Sequence, residues 1–267
     1  MYALNYVKAK SVKEAAEFLA RNPEAKLLAG GMTLLPTLKQ RLARPTHLVD
    51  IGHLGELRKI AVKGGKLVVG AGAKHHEVAV SAVVKKAIPA LAGLAGDIGD
   101  PQVRNQGTIG GSVANNDPAA DYPAAVLGLD ATVVTTKREI PAEKFFQGLF
   151  TTALEDGEII VRIEFPLPQR AAYSKFHHPA SGYAMAAVFI AQTAAGVRVA
   201  VTGAGPGVFR WKAAEAALAN GLKSAALEGV KLDSRDFNND IHADREYREN
   251  LVRVMAKRAL AKLSGKK

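Results

Sequence analysis

The sequence predicts a mixed α and β protein with a boundary near Pro168. Three observations carry this. Short apolar runs alternate with helix-like segments through the first half of the chain. Pro166-Leu167-Pro168 is the strongest linker signal. After it, two strand-like runs lie close enough together to form a hairpin, and helix-like segments follow.

The elements follow in chain order. Ser11-Val12-Lys13-Glu14 reads as a capping box, with Val12, Ala15, Ala16 and Leu19 on one helical face, and Asn22-Pro23 ends that helix. Ala25 to Ala29 reads as a short buried strand running into Gly30-Gly31. A helix is predicted from about Leu34 to Leu42 and a strand over Thr46 to Ile51, giving a strand–glycine turn–helix–strand unit. Lys66 to Gly70 is another strand, preceded by a Gly64-Gly65 turn. Val78 to Ala95 reads as an alanine-rich helix interrupted at Pro89, and Gly96 to Asp121 as a long glycine-bearing loop. Strands are predicted over Ala131 to Thr136 and Glu158 to Phe165. Beyond the linker, Ala184 to Thr193 and Val197 to Gly203 form the hairpin across Ala194-Ala195-Gly196. Trp211 to Ala219 and Tyr247 to Leu263 read as helices.

Composition narrows the function classes. At 267 residues with 48% hydrophobic residues, the chain can bury a sizeable core. No run approaches the length of a membrane span, and Met1 to Lys10 lacks the pattern of a secretory signal, so neither is expected. The absence of cysteine excludes disulfides, thiolate zinc sites and an iron–sulfur cluster on this chain, and fits a cytoplasmic protein. The formal charge of +11 admits nucleic acid, an acidic partner, an anionic cofactor or simply a solvated basic surface. From Arg253 to Lys267 there are six basic residues and no acidic one, on a helical pattern that turns them to water or to a neighbouring subunit.

Two glycine segments stand out. The first is Leu27, Leu28, Ala29, Gly30, Gly31, Met32, Thr33 and Leu34. The second is Asn105 to Ser112, with Thr108, Ile109, Gly110, Gly111 and Ser112, leading to Asp117-Pro118-Ala119-Ala120-Asp121. Glycine lets the main chain approach a ligand, and successive backbone N–H groups can cradle an anion. Two such segments suit a pyrophosphate held between two lobes. A lone Gly-Gly pair is more often just a tight turn. Neither segment matches the three-glycine dinucleotide fingerprint or the Gly-Lys-Ser/Thr phosphate loop, so the residues alone indicate a phosphate cradle and no more.

The same residues carry a resemblance. Gly30 to Pro36, with Lys39, Arg41, Leu42 and Pro45, resembles the first FAD loop of the medium subunits of carbon monoxide dehydrogenase and related molybdenum hydroxylases of the xanthine dehydrogenase family. Gly99 to Asn105 followed by Gly107 to Ser112, completed by Asp117 to Asp121, resembles the second. Tyr173 to Phe176, Tyr183, Thr202 to Pro206, Tyr247-Arg248 and Arg258 to Leu260 are similar to the family's C-terminal domain. The similarity runs in order over nearly the whole chain. It implies an α+β fold: a two-lobed FAD-binding domain of the vanillyl-alcohol-oxidase type over residues 1–168, with lobes of about 1–55 and 56–168, then a small α+β domain over 169–267. It implies a non-covalent FAD and two partners, a large subunit with molybdopterin and a small one with [2Fe–2S] clusters, in a dimer of heterotrimers. Electrons would pass from molybdenum through the clusters to FAD and then to an external acceptor. Departures from the pattern are Met32, Lys74-His75-His76, Asn116 and Ser181-Gly182.

The resemblance also assigns roles. It puts the cofactor along Leu27 to Leu34, with the pyrophosphate on Gly30, Gly31 and Thr33 and on Thr108, Gly110, Gly111 and Ser112, and with Ile109 in the same stretch. Asp121 helps hold the cofactor; its plain alternative is a helix N-cap before Tyr122. Lys175 lies near the flavin ring, where a fixed cation would stabilise negative charge on the reduced flavin; otherwise it is a surface charge. Tyr183, Ile98 and Ile160 pack on the ring, or are ordinary core residues. No residue is assigned to substrate chemistry. The pairs His75-His76 and His177-His178 lack the ligand spacing of a metal motif, so no metal is expected. Two other readings stay open. A self-contained flavin oxidase would need an acid–base residue over the flavin, and the short stretch after Pro168 offers no clear one. A nucleic-acid binder would interleave basic residues with exposed aromatics, whereas aromatics make up only 6% and lie mostly in apolar patterns.

Overall fold

The computed structural model describes residues 1–265. The chain begins with β1 (Asn5–Lys8), α1 (Val12–Arg21), β2 (Lys26–Leu28), α2 (Leu34–Lys39) and β3 (His47–Asp50). These strands form a parallel sheet in the order β1-β3-β2. The Ser11 hydroxyl accepts the Glu14 N–H at 3.1 Å, and Glu14 returns a bond to the Lys10 N–H, which fixes the start of α1. Val12 and Ala15 of α1 pack with Val49 and Ile51 in a small core of their own. The helix read over Leu34 to Leu42 stops at Lys39, because Arg41 takes a left-handed backbone (φ 61°).

A second sheet has the order β4-β5-β10-β6-β7, all neighbours antiparallel. Its strands are β4 (Ile60–Lys63), β5 (Lys66–Gly70), β6 (Thr132–Thr135), β7 (Glu139–Pro141) and β10 (Ile160–Pro166); a small hairpin of β8 (Phe146–Gly148) and β9 (Thr151–Thr152) precedes β10. The segment between β5 and β6 differs from its sequence reading. The single helix expected over Val78 to Ala95 is three short ones, α3 (His75–Val80), α4 (Ala82–Ala87) and α5 (Pro89–Gly96). Ser81 ends α3 and caps α4 through its hydroxyl, and Pro89 can only open a helix, not continue one. The loop expected over Gly96 to Asp121 contains α6 (Pro101–Gln106) and α7 (Ile109–Asn115), each started by a side-chain cap, Asp100 on the Val103 N–H and Thr108 on the Gly111 N–H. Then come α8 (Tyr122–Gly128) and, after β7, α9 (Ala142–Phe145).

The linker residues connect β10 directly to β11 (Arg170–His177). That strand opens a third, antiparallel sheet with β12 (Ala184–Thr193), β13 (Gly196–Thr202) and β14 (Phe209–Arg210). β12 and β13 form the expected hairpin. α10 (Lys212–Leu218) and α11 (Arg245–Leu263) cover one face, burying Trp211, Leu218, Leu251, Met255 and Leu260 against Val188, Ile190 and Val199. The other face of this sheet joins the large core, where Tyr173, Phe189 and Ala200 pack with Leu127, Leu129 and Phe165. The basic residues Lys257 and Arg258 of α11 are exposed.

Candidate functional site

The two glycine segments meet. Gly30 lies against the backbone of Gln106 and Gly107, where a Cβ would overlap the Gln106 carbonyl group. Gly31 has φ +71°, which turns the chain from β2 into α2. This close approach of backbones defines one wall of a cleft of about 810 Å³, of a size suited to a large cofactor.

The segments differ in what they offer a ligand. In the second, the N–H groups are already used. Ile109 donates to Ala73 O at 3.0 Å, Gly110 to Ala71 O at 2.8 Å, Gly111 to the Thr108 hydroxyl at 3.1 Å and Ser112 to Thr108 O at 3.0 Å. Gly110 is needed for packing, since a Cβ there would fall 2.7 Å from Ala71 O. Gly111 is exposed and leaves room along the cleft. In the first segment, the N–H groups of Gly30, Gly31, Met32, Thr33 and Leu34 donate to no protein acceptor among the described residues. Successive unbonded N–H groups around a left-handed glycine form an anion-binding concavity. An anion held in this cleft would therefore find its free N–H donors on the first segment, while the second offers the Thr108 and Ser112 side chains and open space beside Gly111.

Most residues singled out in the sequence line this cleft: Leu27, Ala29, Gly30, Gly31, Met32, Thr33, Leu34, Ile98, Thr108, Gly110, Gly111, Ser112, Asp121, Ile160 and Tyr183. Tyr183 is half exposed at the mouth, on a turn closed by the His178 N–H donating to its carbonyl at 2.7 Å. Three residues do not line it. Leu28 is a half-buried strand residue, Ile109 is fully buried in the large core, and Lys175 lies behind the wall.

Lys175 is thus neither a surface charge nor an open cation facing the cleft. Its buried Nζ donates to Asp97 O at 2.6 Å and stands 3.1 Å from Asp121 Oδ1. Tyr173 also donates its hydroxyl to Asp121. Asp121 occupies the N-cap position of α8 but makes no cap bond, because its carboxylate is turned to this pair. Burial pushes the Asp121 carboxyl above its usual range, against the opposing pull of Lys175 and the Tyr173 hydroxyl. Seen from the cleft, the lysine charge is largely cancelled by the carboxylate in front of it.

Several cleft residues were not anticipated. Leu19, Ala20 and Pro23 come from α1 and its end, Leu57, Ala71 and Gly72 from around β5, Val103 from α6, and Glu155 to Ile159 from the approach to β10. The sequence reading passed over this approach; its Asp156-Gly157 pair is the kind of signal that marks a turn, not a wall. His75 lines the cleft although it is 5% exposed. Burial lowers its basicity, with the Arg104 charge adding to the effect, to a pKa of about 4. No group of three or more metal-ligating side chains occurs among the described residues.

The cleft sets unbonded backbone N–H donors on one side against hydroxyls on the other, an arrangement suited to a phosphate-bearing ligand, and comparison identifies the class. Residues 2–168 match the family described as the FAD binding domain in molybdopterin dehydrogenase, and the chain belongs to that family. It is 34% identical over 270 residues to the carbon monoxide dehydrogenase medium chain of Hydrogenophaga pseudoflava, covering 94% of this chain and 93% of that one. It is 32% identical over 275 residues to the nicotine 6-hydroxylase medium subunit of Paenarthrobacter nicotinovorans, covering 97% and 96%. Among solved structures, quinoline 2-oxidoreductase from Pseudomonas putida 86 superposes with a TM-score of 0.90 at 28% identity, covering 99% of this chain and 98% of that one. The chain is an FAD-binding subunit of the oxidoreductase type, with a mixed α and β fold to match. No described helix is long and apolar enough to cross a membrane.

Proposed function

We propose that this chain is the electron-transfer flavoprotein of a molybdenum hydroxylase complex. It would take electrons from [2Fe–2S] clusters on a small subunit, supplied by a molybdopterin-bearing large subunit, and pass them to an external acceptor. The observation that carries the reading is the cleft in which the unbonded N–H groups of Gly30 to Leu34 face the hydroxyl-bearing second segment. These groups fit the pyrophosphate of a non-covalent FAD, and the lack of cysteine removes the thioether route to covalent attachment. When bound, FAD supplies the capacity to accept electrons and release them to a different carrier.

The chain's own residues bind and position. The first segment holds the pyrophosphate, Thr108 and Ser112 add hydroxyl donors, and Ile98, Ile160 and Tyr183 shield the ring. The Asp121–Lys175 pair stiffens the wall beside it. Residues 1–168 form the FAD-binding part in two lobes and 169–267 a smaller domain, in a cytoplasmic dimer of heterotrimers that carries no nucleic acid. The medium-subunit names of the relatives support the partner assignment.

The test is direct. The full chain should quench the fluorescence of added FAD at one equivalent and should not take up FMN alone. It should co-purify with two further subunits and should not reduce its flavin with any substrate of the whole complex. Flavin reduction by substrate in the purified chain would establish a self-contained oxidase instead.

A further inference from the structure

We propose that His75 is a cofactor-binding residue of this cleft, presenting Nε2–H as an uncharged donor to an acceptor atom of the flavin nucleotide, a carbonyl oxygen or an unprotonated ring nitrogen. The inference rests on the cleft being the flavin site.

His75 opens α3, and its backbone N–H donates to Gly107 O at 3.0 Å, which ties it to the second glycine segment. The ring packs against Tyr122, with centroids 5.3 Å apart and a 49° tilt. Nδ1 is sealed from solvent and has no hydrogen-bond partner. Nε2 has no protein partner either, but it is not among the sealed atoms, and the residue lines the cleft. Nε2 is therefore the polar atom that this ring offers to a ligand. Gly107 packs against that edge of the ring without a side chain, since a Cβ there would fall 2.5 Å from Nε2.

The tautomer follows from burial. A neutral imidazole carries one hydrogen. On Nδ1 it would make a buried N–H with no acceptor, the costlier kind of unmet group. On Nε2 it can reach water or a ligand. The ring also stays uncharged near neutral pH, as its lowered basicity requires.

The experiment is FAD titration of the full-length apo-chain, with thermal melting of each apo-variant. His75→Gln puts an amide near the position of Nε2, His75→Asn near that of Nδ1, and His75→Phe keeps a ring without nitrogen. Gln should bind FAD within about threefold of wild type. Asn and Phe should bind at least tenfold more weakly, about 1.4 kcal/mol, with apo melting temperatures close to wild type. Tight binding by the Phe variant, or equal weakening by all three, overturns the proposal. Nitrogen NMR of the wild-type chain with labelled histidine gives a test free of folding effects: FAD must move the Nε2 resonance of His75, and an unmoved resonance overturns it. If wild type itself takes up no FAD, the flavin-site reading fails before this one is reached.

Discussion

Lys175→Met removes the cation from a buried pair. The lysine side chain is 0% exposed and the Asp121 side chain 4%, with Nζ and Oδ1 3.1 Å apart. Breaking such a pair from one side leaves a carboxylate without its counter-charge, which costs about 3–5 kcal/mol. For a chain of this size that corresponds to a fall in melting temperature of roughly 10 °C. The Tyr173 hydroxyl remains as a donor and reduces the loss. Asp121→Asn on the same background removes the stranded charge, so the double variant should recover at least half of it. The sign of the pH effect follows from Asp121. Its folded-state pKa is already raised by burial, and losing Lys175 raises it further. A raised carboxyl contributes stability that is present below its unfolded value of 3.8 and is lost as pH rises toward the folded value. The single variant's deficit should therefore shrink at acid pH and be largest at pH 8. Circular dichroism melting of the full chain at several pH values measures all of this. A loss under about 1 kcal/mol, or a double variant no better than the single one, would refute the coupled-pair reasoning. Because the carboxylate masks the cation, the flavin potential should move by less than an isolated charge at that distance would demand.

Gly111→Val should weaken FAD binding at least tenfold while the apo melting temperature changes little, because its Cβ would meet only the Thr108 hydroxyl, at 2.9 Å; unchanged flavin occupancy would remove the second segment from the site. Gly30→Ala should be worse on both counts, destabilising by about 1–3 kcal/mol, since its Cβ meets backbone of Gln106 that cannot rotate away; a native-like melt would show that the segments can separate without cost. His75 has a lowered folded-state pKa of about 4 against 6.5, so the unfolded chain binds the extra proton first, and stability present above 6.5 is lost as pH falls toward 4. His75→Gln should flatten that acid limb by on the order of 3 kcal/mol, and an acid limb identical to wild type would mean that the ring is not buried.

The parts of the fold legible in the sequence are those where local pattern and burial agree. β2 runs into Gly30-Gly31 and α2 because an apolar run, a flexible turn and a helical face follow in order, and β12 and β13 are apolar runs around a glycine turn. α6 and α7 escaped because six or seven residues hold too little periodicity to register and are dense in glycine and polar residues. Contacts from afar hold them, His75 N–H on Gly107 O and Gly110 N–H on Ala71 O. β11 went unread as a strand, because Ser174 and Lys175 are polar and yet buried. Their partners, Met255 and Asp121, lie far away in sequence. The site divides the same way. The glycine segments announce themselves, whereas His75 and the Glu155 to Ile159 wall depend on how distant elements are brought together.

Charge gives one more consequence. The chain carries +11 overall, but the cleft does not. Lys26 is the lysine among its lining residues, against Asp117, Asp121, Glu155, Asp156 and Glu158. Asp121 is neutralised by Lys175, Glu158 is held by Arg138, and Glu155 is bridged to Lys137 and Arg138; Asp117 and Asp156 keep the cleft from being basic. An anionic cofactor in such a place would be bound by fixed N–H dipoles at contact distance, not by a field of lysines and arginines. Salt at about 0.1 M screens exposed charges beyond roughly 10 Å but leaves hydrogen bonds at contact nearly untouched. FAD affinity should therefore stay flat or rise slightly as salt goes from about 50 to about 500 mM, since screening also relieves repulsion from the rim carboxylates. Isothermal titration of the full chain at fixed pH measures it. A fall of tenfold or more across that range would show that basic side chains outside this cleft carry the binding, and the N–H cradle of Gly30 to Leu34 would lose its role.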